Sequence, residues 1–496
     1  MRDAPTAAKP RLRTPPTPNT IVFVRGRLQV LVFAVLAAAF LYAGTASSGS
    51  PGNWTRITTT NLVNFAEPGL ARTSDGVLHV VWHKPVSSNR EDLMHSAISP
   101  AGKVVGDAVA IQSGWNSLSQ RPDLVVSPDG NTLRVFFAGL HSLIGGDPLN
   151  EQLMTATAAR EGRSWTGPQR VTSASHPSYG SAGIGAAVGA GGTPIVAEGD
   201  PGNIFHFGIG GPDFAYESRG CCVYDPDIGV DSQSGQAFVA WFSNVNGSNG
   251  LYAQSISTSG LSGTPTYLPG SANADRSTAN QPIQRTPITG RLGAGGVYVA
   301  YGPGYPTRKS VSLLRLGASK PLVAGRGSSI ENVDVARAPE GRLWVMWSDG
   351  GKIYAVRTNK AATRVGGRVA LTPPAGTVSI FGLWGEGSLG TLDLIAHAGT
   401  ATNAVAFWHT QVLPPLDIEA TGGVGVIRVK VTDAGDPVSG VAVTVAGHHA
   451  VTNGRGTASV HVKQKGTVTA KATKKGYRAD TDRARVKQKK KKARQK

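Results

Sequence analysis

Residues Glu67 to Trp82 read EPGLARTSDGVLHVVW: a short apolar strand, a turn closing on Gly76, then a strand of alternating large apolar residues. The plan returns as RPDLVVSPDGNTLRVFF from Arg121, DPDIGVDSQSGQAFVAW from Asp225 and NVDVARAPEGRLWVMW from Asn332. More divergent copies are SAGIGAAVGAGGTPIVAE from Ser181, RTPITGRLGAGGVYVAY from Arg285 and the weak IFGLWGEGSLGTLDLIAH from Ile380. Their turn glycines, Gly76, Gly130, Gly192, Gly235, Gly296, Gly341 and Gly390, lie 54, 62, 43, 61, 45 and 49 residues apart. A spacing near 50 that holds two clear strands, with room for two more, describes a four-stranded propeller blade. Asp-Gly and Gly-Gly supply the positive φ of hairpin turns, and the alternation in HVVW and WVMW suits strands packed between neighbouring blades. The reading is all-β, a β-propeller of seven blades followed by a small β-sandwich; the poor last copy leaves six blades open. A sandwich or solenoid throughout would need shorter or more regular spacing.

Composition sets limits on function. The chain has 496 residues, 64 Gly and only 2 Cys, so sheet packing and not a disulfide framework has to hold it together. Its formal charge is +19, but residues 483–496 account for +9 and residues 1–50 for +5, leaving +5 for residues 51–482. A mildly basic middle does not demand a nucleic-acid groove, and no specific nucleic-acid recognition is expected.

Four segments follow from the pattern. Residues 1–50 carry a basic, Pro-rich stretch and then LQVLVFAVLAAAFLYAGTA, a 19-residue run from Leu28 to Ala46 without a charge. Basic residues before an apolar run mark export, either by a signal peptide cut before Ser47 or by a retained signal anchor. Everything after residue 50 is then extracellular or at the cell surface. Residues 51–413 form the propeller. Residues 416–482 change to IRVKVTDAGDPVSGVAVTVAG, TNGRGTASVHV and GTVTAKATKKGY, short alternating strands of a β-sandwich. Residues 483–496 read as a basic, disordered tail, either a solubilising end or a tether to an anionic surface worth ~1 kcal/mol per Lys or Arg.

Two resemblances add to this. The order Pro437-Val-Ser-Gly-Val-Ala-Val, Thr452-Asn-Gly-Arg-Gly-Thr-Ala, Lys475-Gly-Tyr477 resembles carboxypeptidase-regulatory-like and bacterial Ig-like domains, which implies a surface or spacer module without catalytic residues. The propeller region resembles the sialidase-like superfamily, whose propellers have six blades. That family opens its first blade with Phe/Tyr-Arg-Ile-Pro, the Arg gripping the substrate carboxylate. This chain has Phe65-Ala66-Glu67-Pro68, and Ala66 cannot supply the bidentate guanidinium. The family's Ser-x-Asp-x-Gly-x-Thr-Trp turn is eroded too: Ala158 to Trp165 keeps Gly162, Ser164 and Trp165 but has Arg160 in place of Asp. A tyrosine nucleophile needs a carboxylate base and a facing acid. Tyr216, Tyr224, Tyr305, Glu198 and Asp227 are available, but spacing unites no pair, so no catalytic residue is assigned.

The residues just before the innermost strands should ring one end of the central channel. Alignment of the copies puts Glu67, Arg121, Ser181, Asp225, Arg285 and Asn332 there, a polar ring with Arg121 and Arg285 as anion-binding candidates. The competing reading is that these charges neutralise one another. Adjacent Cys221 and Cys222 can join as a vicinal disulfide in an oxidising compartment or stay as free buried thiols. No metal and no cofactor is called for: the cysteines lack His partners, and His448-His449 lacks metal-site spacing. Trp82, Trp241, Tyr301 and Trp347 recur with the repeat and read as inter-blade core. The expected function is an exported, non-catalytic propeller binding a glycan, cell-wall polymer or protein ligand at the channel mouth. The alternatives are a sialidase-type glycoside hydrolase and a structural envelope component.

Overall fold

The computed structural model describes residues 51–487, except 59–60, 63–65, 89, 119–120, 142–151, 172–182, 200–203, 210–213, 219–223, 244–248, 259, 275–284 and 402–403. The export run, Ser181, Cys221, Cys222 and the chain after Lys487 therefore lie outside the described residues.

Among the described residues the chain forms seven antiparallel propeller sheets in sequence order, then two further sheets. The innermost strands of the seven are Gly69–Arg72, Asp123–Val126, Ile184–Val188, Tyr224–Val230, Ile288–Gly290, Ile330–Arg337 and Thr377–Glu386. Each packs against the next, and the last packs against the first, so the sheets close into a ring. The seventh sheet takes its outer strand from the start of the folded chain: Thr55–Arg56 pairs with Val405–Val412, with Thr55 opposite His409. This splice ties the ends of the ring together with backbone hydrogen bonds, continued where Ile57 N–H donates to the Phe407 carbonyl at 2.8 Å.

The expected repeat chemistry explains the sheets. All seven turn glycines have positive φ, from 71° at Gly235 to 106° at Gly296, a region closed to most side chains. Trp82, Trp241, Tyr301 and Trp347 are buried in clusters that draw on neighbouring sheets. Near the axis the strands crowd: a Cβ on Gly69 would lie 2.8 Å from the Leu124 amide nitrogen of the second sheet, so a side chain there would push the inner strands apart.

The C-terminal module consists of two four-stranded sheets that share one core, including Ile427, Val429, Val431, Val443, Val445, Val460, Ala470 and Ala472. It ends later than the sequence pattern suggested. Asp480–Val486 is its last strand, so Arg483 and Arg485 are folded residues and not part of a tail that starts at 483. Their alternation with Ala484 and Val486, both buried, is a strand signal that the density of charge hid.

Nor does the module hang free as the expected spacer. Asp433 pairs with Arg357 of the sixth sheet, Asp436 lies 2.7 Å from Arg342 Nη2, and the Arg357 guanidinium sits 5.4 Å from the Tyr477 ring centroid. Asp433, Arg342 and Arg357 are all buried there. The sequence showed acids in a turn but could not show which surface they meet.

Candidate functional site: the central channel

Glu67, Arg121, Asp225 and Arg285 gather at one end of the ring; Asp225 and Asn332 lie inside their innermost strands and not before them, and Ser181 lies outside the described residues. Asp225 and Asn332, at equivalent positions, both have left-handed backbone, with φ of 48° and 49°. Asp and Asn tolerate that conformation best among residues with side chains, and each position coincides with a register shift against the neighbouring strand. The residues two positions on, Asp227 and Asp334, line the channel, as does Asp123, whose strand keeps its register.

Four of the six ring residues join in one ion network. Arg121 Nη1 lies 2.6 Å from Asp225 Oδ1, and Arg121 Nε lies 3.6 Å from Glu67 Oε1. Arg285 Nε lies 3.2 Å from the other Glu67 oxygen, and the Arg285 backbone N–H donates to Glu67 as well. Arg285 then reaches across the ring: Nη1 is 2.5 Å from Asp123 Oδ1, while Nη2 donates to the Pro68 carbonyl at 2.7 Å and Nη1 to that of Ile184. Glu67, Arg121 and Asp225 are 5% exposed or less. Burial opposes the Arg285 charge, but Asp123, Asp227 and Glu67 outweigh it, and its pKa rises above the ordinary arginine value.

These contacts correct the expectation that Arg121 and Arg285 stand ready for an anion. Arg121 is paired with Asp225 and Glu67, and Arg285 with Asp123, Glu67 and the Pro68 and Ile184 carbonyls, so prising either guanidinium loose would strand a buried carboxylate. Asn332 sits apart, donating from its side-chain amide to Ser348 Oγ at 3.0 Å and to the Ile380 carbonyl.

Below the network lies a cavity of about 310 Å³ lined by inner strands of all seven sheets. It runs from Asp123, Asp227, Asp334 and Arg285 toward Arg72, Arg337 and Glu386. The three aspartates occupy the third position of RPD, DPD and NVD, in the second, fourth and sixth sheets. Two of them clamp the following sheet: Asp123 Oδ2 accepts from Ala186 N–H at 2.7 Å and Asp334 Oδ2 from Gly385 N–H at 2.9 Å. Asp227 differs, since burial holds its carboxyl pKa well above the usual value. The Arg285 charge pulls it down less than burial, Asp123 and Asp334 push it up. The shift extends the pH range over which the carboxyl is protonated, and in that form it carries one O–H donor and acceptor oxygens, a set that matches hydroxyls and amides.

Of the residues weighed for catalysis whose side chains are described, Asp227 lines this cavity and Glu198 and Tyr305 do not. Tyr305 stacks under Arg308 with 5.0 Å from guanidinium carbon to ring centroid, Glu198 is buried in the third sheet, and the side chains of Tyr216 and Tyr224 lie outside the description. Ala66 is 1% exposed and packs in the core shared by the first and seventh sheets.

The sequence reading missed a second charged cluster, at the other end of the inner strands. Arg72 pairs with Glu386 and lies 2.5 Å from Asp393 Oδ2, and Asp393 Oδ1 accepts from His409 Nε2 at 2.8 Å and from Gln411 at 3.0 Å. Burial works against the Asp393 charge, yet His409 and Arg72 more than offset it and hold the carboxyl below its usual pKa. The cluster spans the seam between the first and seventh sheets.

No protein-family profile matches the chain, and no curated protein does. Among solved structures, Hadza microbial sialidase Hz136 is similar at 12% identity and TM-score 0.39, over 70% of this chain and 65% of its own. Polysaccharide lyase Uly1 is similar at 8% identity and TM-score 0.42, over 72% and 91%. The β-propeller domain of the Trilobed protease from Pyrococcus furiosus is similar at 8% identity and TM-score 0.38, over 70% and 94%. The chain thus spans less than two thirds of the sialidase, and no residue role is carried over from any of the three.

Proposed function

We propose that this protein is an exported binding propeller, not a hydrolase, and that a carbohydrate or protein partner places a polar group in the central channel. The observation that carries the reading is the cavity of about 310 Å³ that holds the raised-pKa carboxyl of Asp227 beside a guanidinium already neutralised by Asp123 and Glu67. Arg337 lines the far end of the cavity, but the Asp227 end offers hydrogen bonds without a free positive charge. It favours a sugar hydroxyl or a side-chain amide over a carboxylated sugar. The volume is at the lower end for ligand sites, so one sugar ring or one side chain enters while the rest of the partner stays outside. In this reading the two-sheet module, the counterpart of the Ig-like and carboxypeptidase-regulatory-like domains, is a fixed outrigger of the sixth sheet, and the basic end tethers the protein at an anionic cell surface.

The test is a glycan and peptide array probed with the full chain and with D227L, run alongside a fluorogenic sialoside assay. Expected are array binders that weaken at least tenfold in D227L and sialoside turnover no faster than in buffer. Sialoside cleavage, or binding indifferent to D227L, contradicts the reading.

A further inference from the structure

One outer face of the C-terminal module is cationic and hydroxyl-rich, and it carries no carboxylate. The sheet formed by His448–Val451, Ala442–Val445, Gly466–Thr473 and Asp480–Val486 turns Val468, Ala470, Ala472, Ala484 and Val486 inward to the core. Alternation therefore sends Thr467, Thr469, Lys471, Thr473, Arg483 and Arg485 outward, and all six are exposed. Register pairs Thr467 with Arg485, Thr469 with Arg483 and Lys471 with both Thr444 and Thr481. Directly opposed side chains stand ~5 Å apart, and diagonal or i, i+2 neighbours ~7 Å, so the three cations form a compact patch bordered by threonines.

The acids of the same strand do not cancel this charge. Asp480 and Asp482 sit opposite Ala472 and Ala470, both core positions, and accept hydrogen bonds from the Ile418 and Ala420 N–H groups of the other sheet. That other sheet shows the contrast, since there Glu419 faces Lys430 across the strands and the charge is balanced. Docking to the propeller uses Asp433, Asp436 and Tyr477 and leaves the cationic sheet uncovered.

We infer that this sheet face binds an anionic polysaccharide. Charge complementarity calls for a polyanion. The threonine hydroxyls between the cations suit a hydroxyl-bearing chain lying along the strands, and an aromatic platform for stacking nucleic-acid bases is missing from the six positions. The site is independent of the channel. It belongs to folded residues and not to the basic end that follows, although Lys489–Lys492 extend the same charge in sequence.

The experiment measures binding of polygalacturonate, neutral dextran, anionic phospholipid vesicles and duplex DNA. It compares the full chain, a chain ending at Lys487, and K471E/R483E/R485E in each background. The chain ending at Lys487 is expected to keep salt-sensitive polygalacturonate binding, and the triple substitution to weaken it at least tenfold with the melting temperature unchanged; K471Q/R483Q/R485Q replaces it should charge reversal impair folding. Polygalacturonate binding that survives the triple substitution, that vanishes with the basic end alone, or that is weaker than binding to vesicles or DNA overturns the inference.

Discussion

Arg285 Nη1 stands 2.5 Å from Asp123 Oδ1, although one residue leads into the fifth sheet and the other opens the second, so this ion pair bridges the channel. Both side chains are 9% exposed, and the guanidinium is shared with Glu67. Removing the cation leaves two largely buried carboxylates without their counter-charge, which costs ~3–5 kcal/mol. R285M is therefore expected to lower unfolding free energy by about that amount in urea titrations. A loss below ~1 kcal/mol would mean the guanidinium is not structurally committed.

The ring closes at the seam held by Arg72, Glu386 and Asp393. In R72M the two acids lose their buried counter-charge, and the seam between the first and last sheets rests on the apolar cluster of Trp82, Trp384 and Phe407 and on the backbone pairing of the splice. The expected result is a loss of ~3–5 kcal/mol with faster amide exchange concentrated in Thr55–Arg56 and Val405–Val412. Uniform exchange across all seven sheets would argue against a local seam.

Acid should weaken the fold through its buried histidines. Burial lowers His79 to about 4, and it lowers His95 and His397 to about 3. An unfolded histidine titrates near 6.5. Between that value and the folded ones the unfolded chain binds more protons, so stability is full above about pH 6.5 and falls as pH drops toward 4. His397 packs among Phe381, Trp384 and Phe407, and neither ring nitrogen has a hydrogen-bond partner among the described residues. H397L is expected to gain ~1–3 kcal/mol at neutral pH and to flatten the pH dependence of the melting temperature. An equally steep profile in H397L would place the acid sensitivity elsewhere.

Asp433 joins the C-terminal module to Arg342 and Arg357. D433A leaves both guanidiniums buried with a partner missing, at a cost of ~3–5 kcal/mol. Calorimetry should show one cooperative transition in the parent chain and a lower one in D433A. Two transitions in the parent, with the propeller's unmoved by the substitution, would restore the free-spacer picture.

Much of the architecture was readable from the repeat. Gly76 and its six counterparts marked the hairpins because only residues free to take positive φ fit there, and the Trp347-type positions marked the inter-sheet core. The last strand was not readable, because Arg483 and Arg485 mask the alternation of Ala484 and Val486. At the site, alignment placed Glu67, Arg121, Asp225 and Arg285 at one end of the ring but not their mutual pairing, which depends on how far Arg285 reaches past its own sheet. Asp123, Asp227 and Asp334 were visible as the third residues of RPD, DPD and NVD, yet the register shifts that precede Asp227 and Asp334 are local backbone features that spacing does not reveal. The Arg72 to Asp393 contact joins opposite ends of the repeat array, and no local pattern announces it.

The most direct test follows the affinity of the full chain for its strongest array ligand as a function of pH, in parallel with D227N. If the neutral carboxyl of Asp227 makes the contact, affinity falls as pH rises through its elevated pKa, and D227N, which has no proton to lose, stays flat. Identical profiles for the two proteins would contradict the assignment of the channel as the binding site.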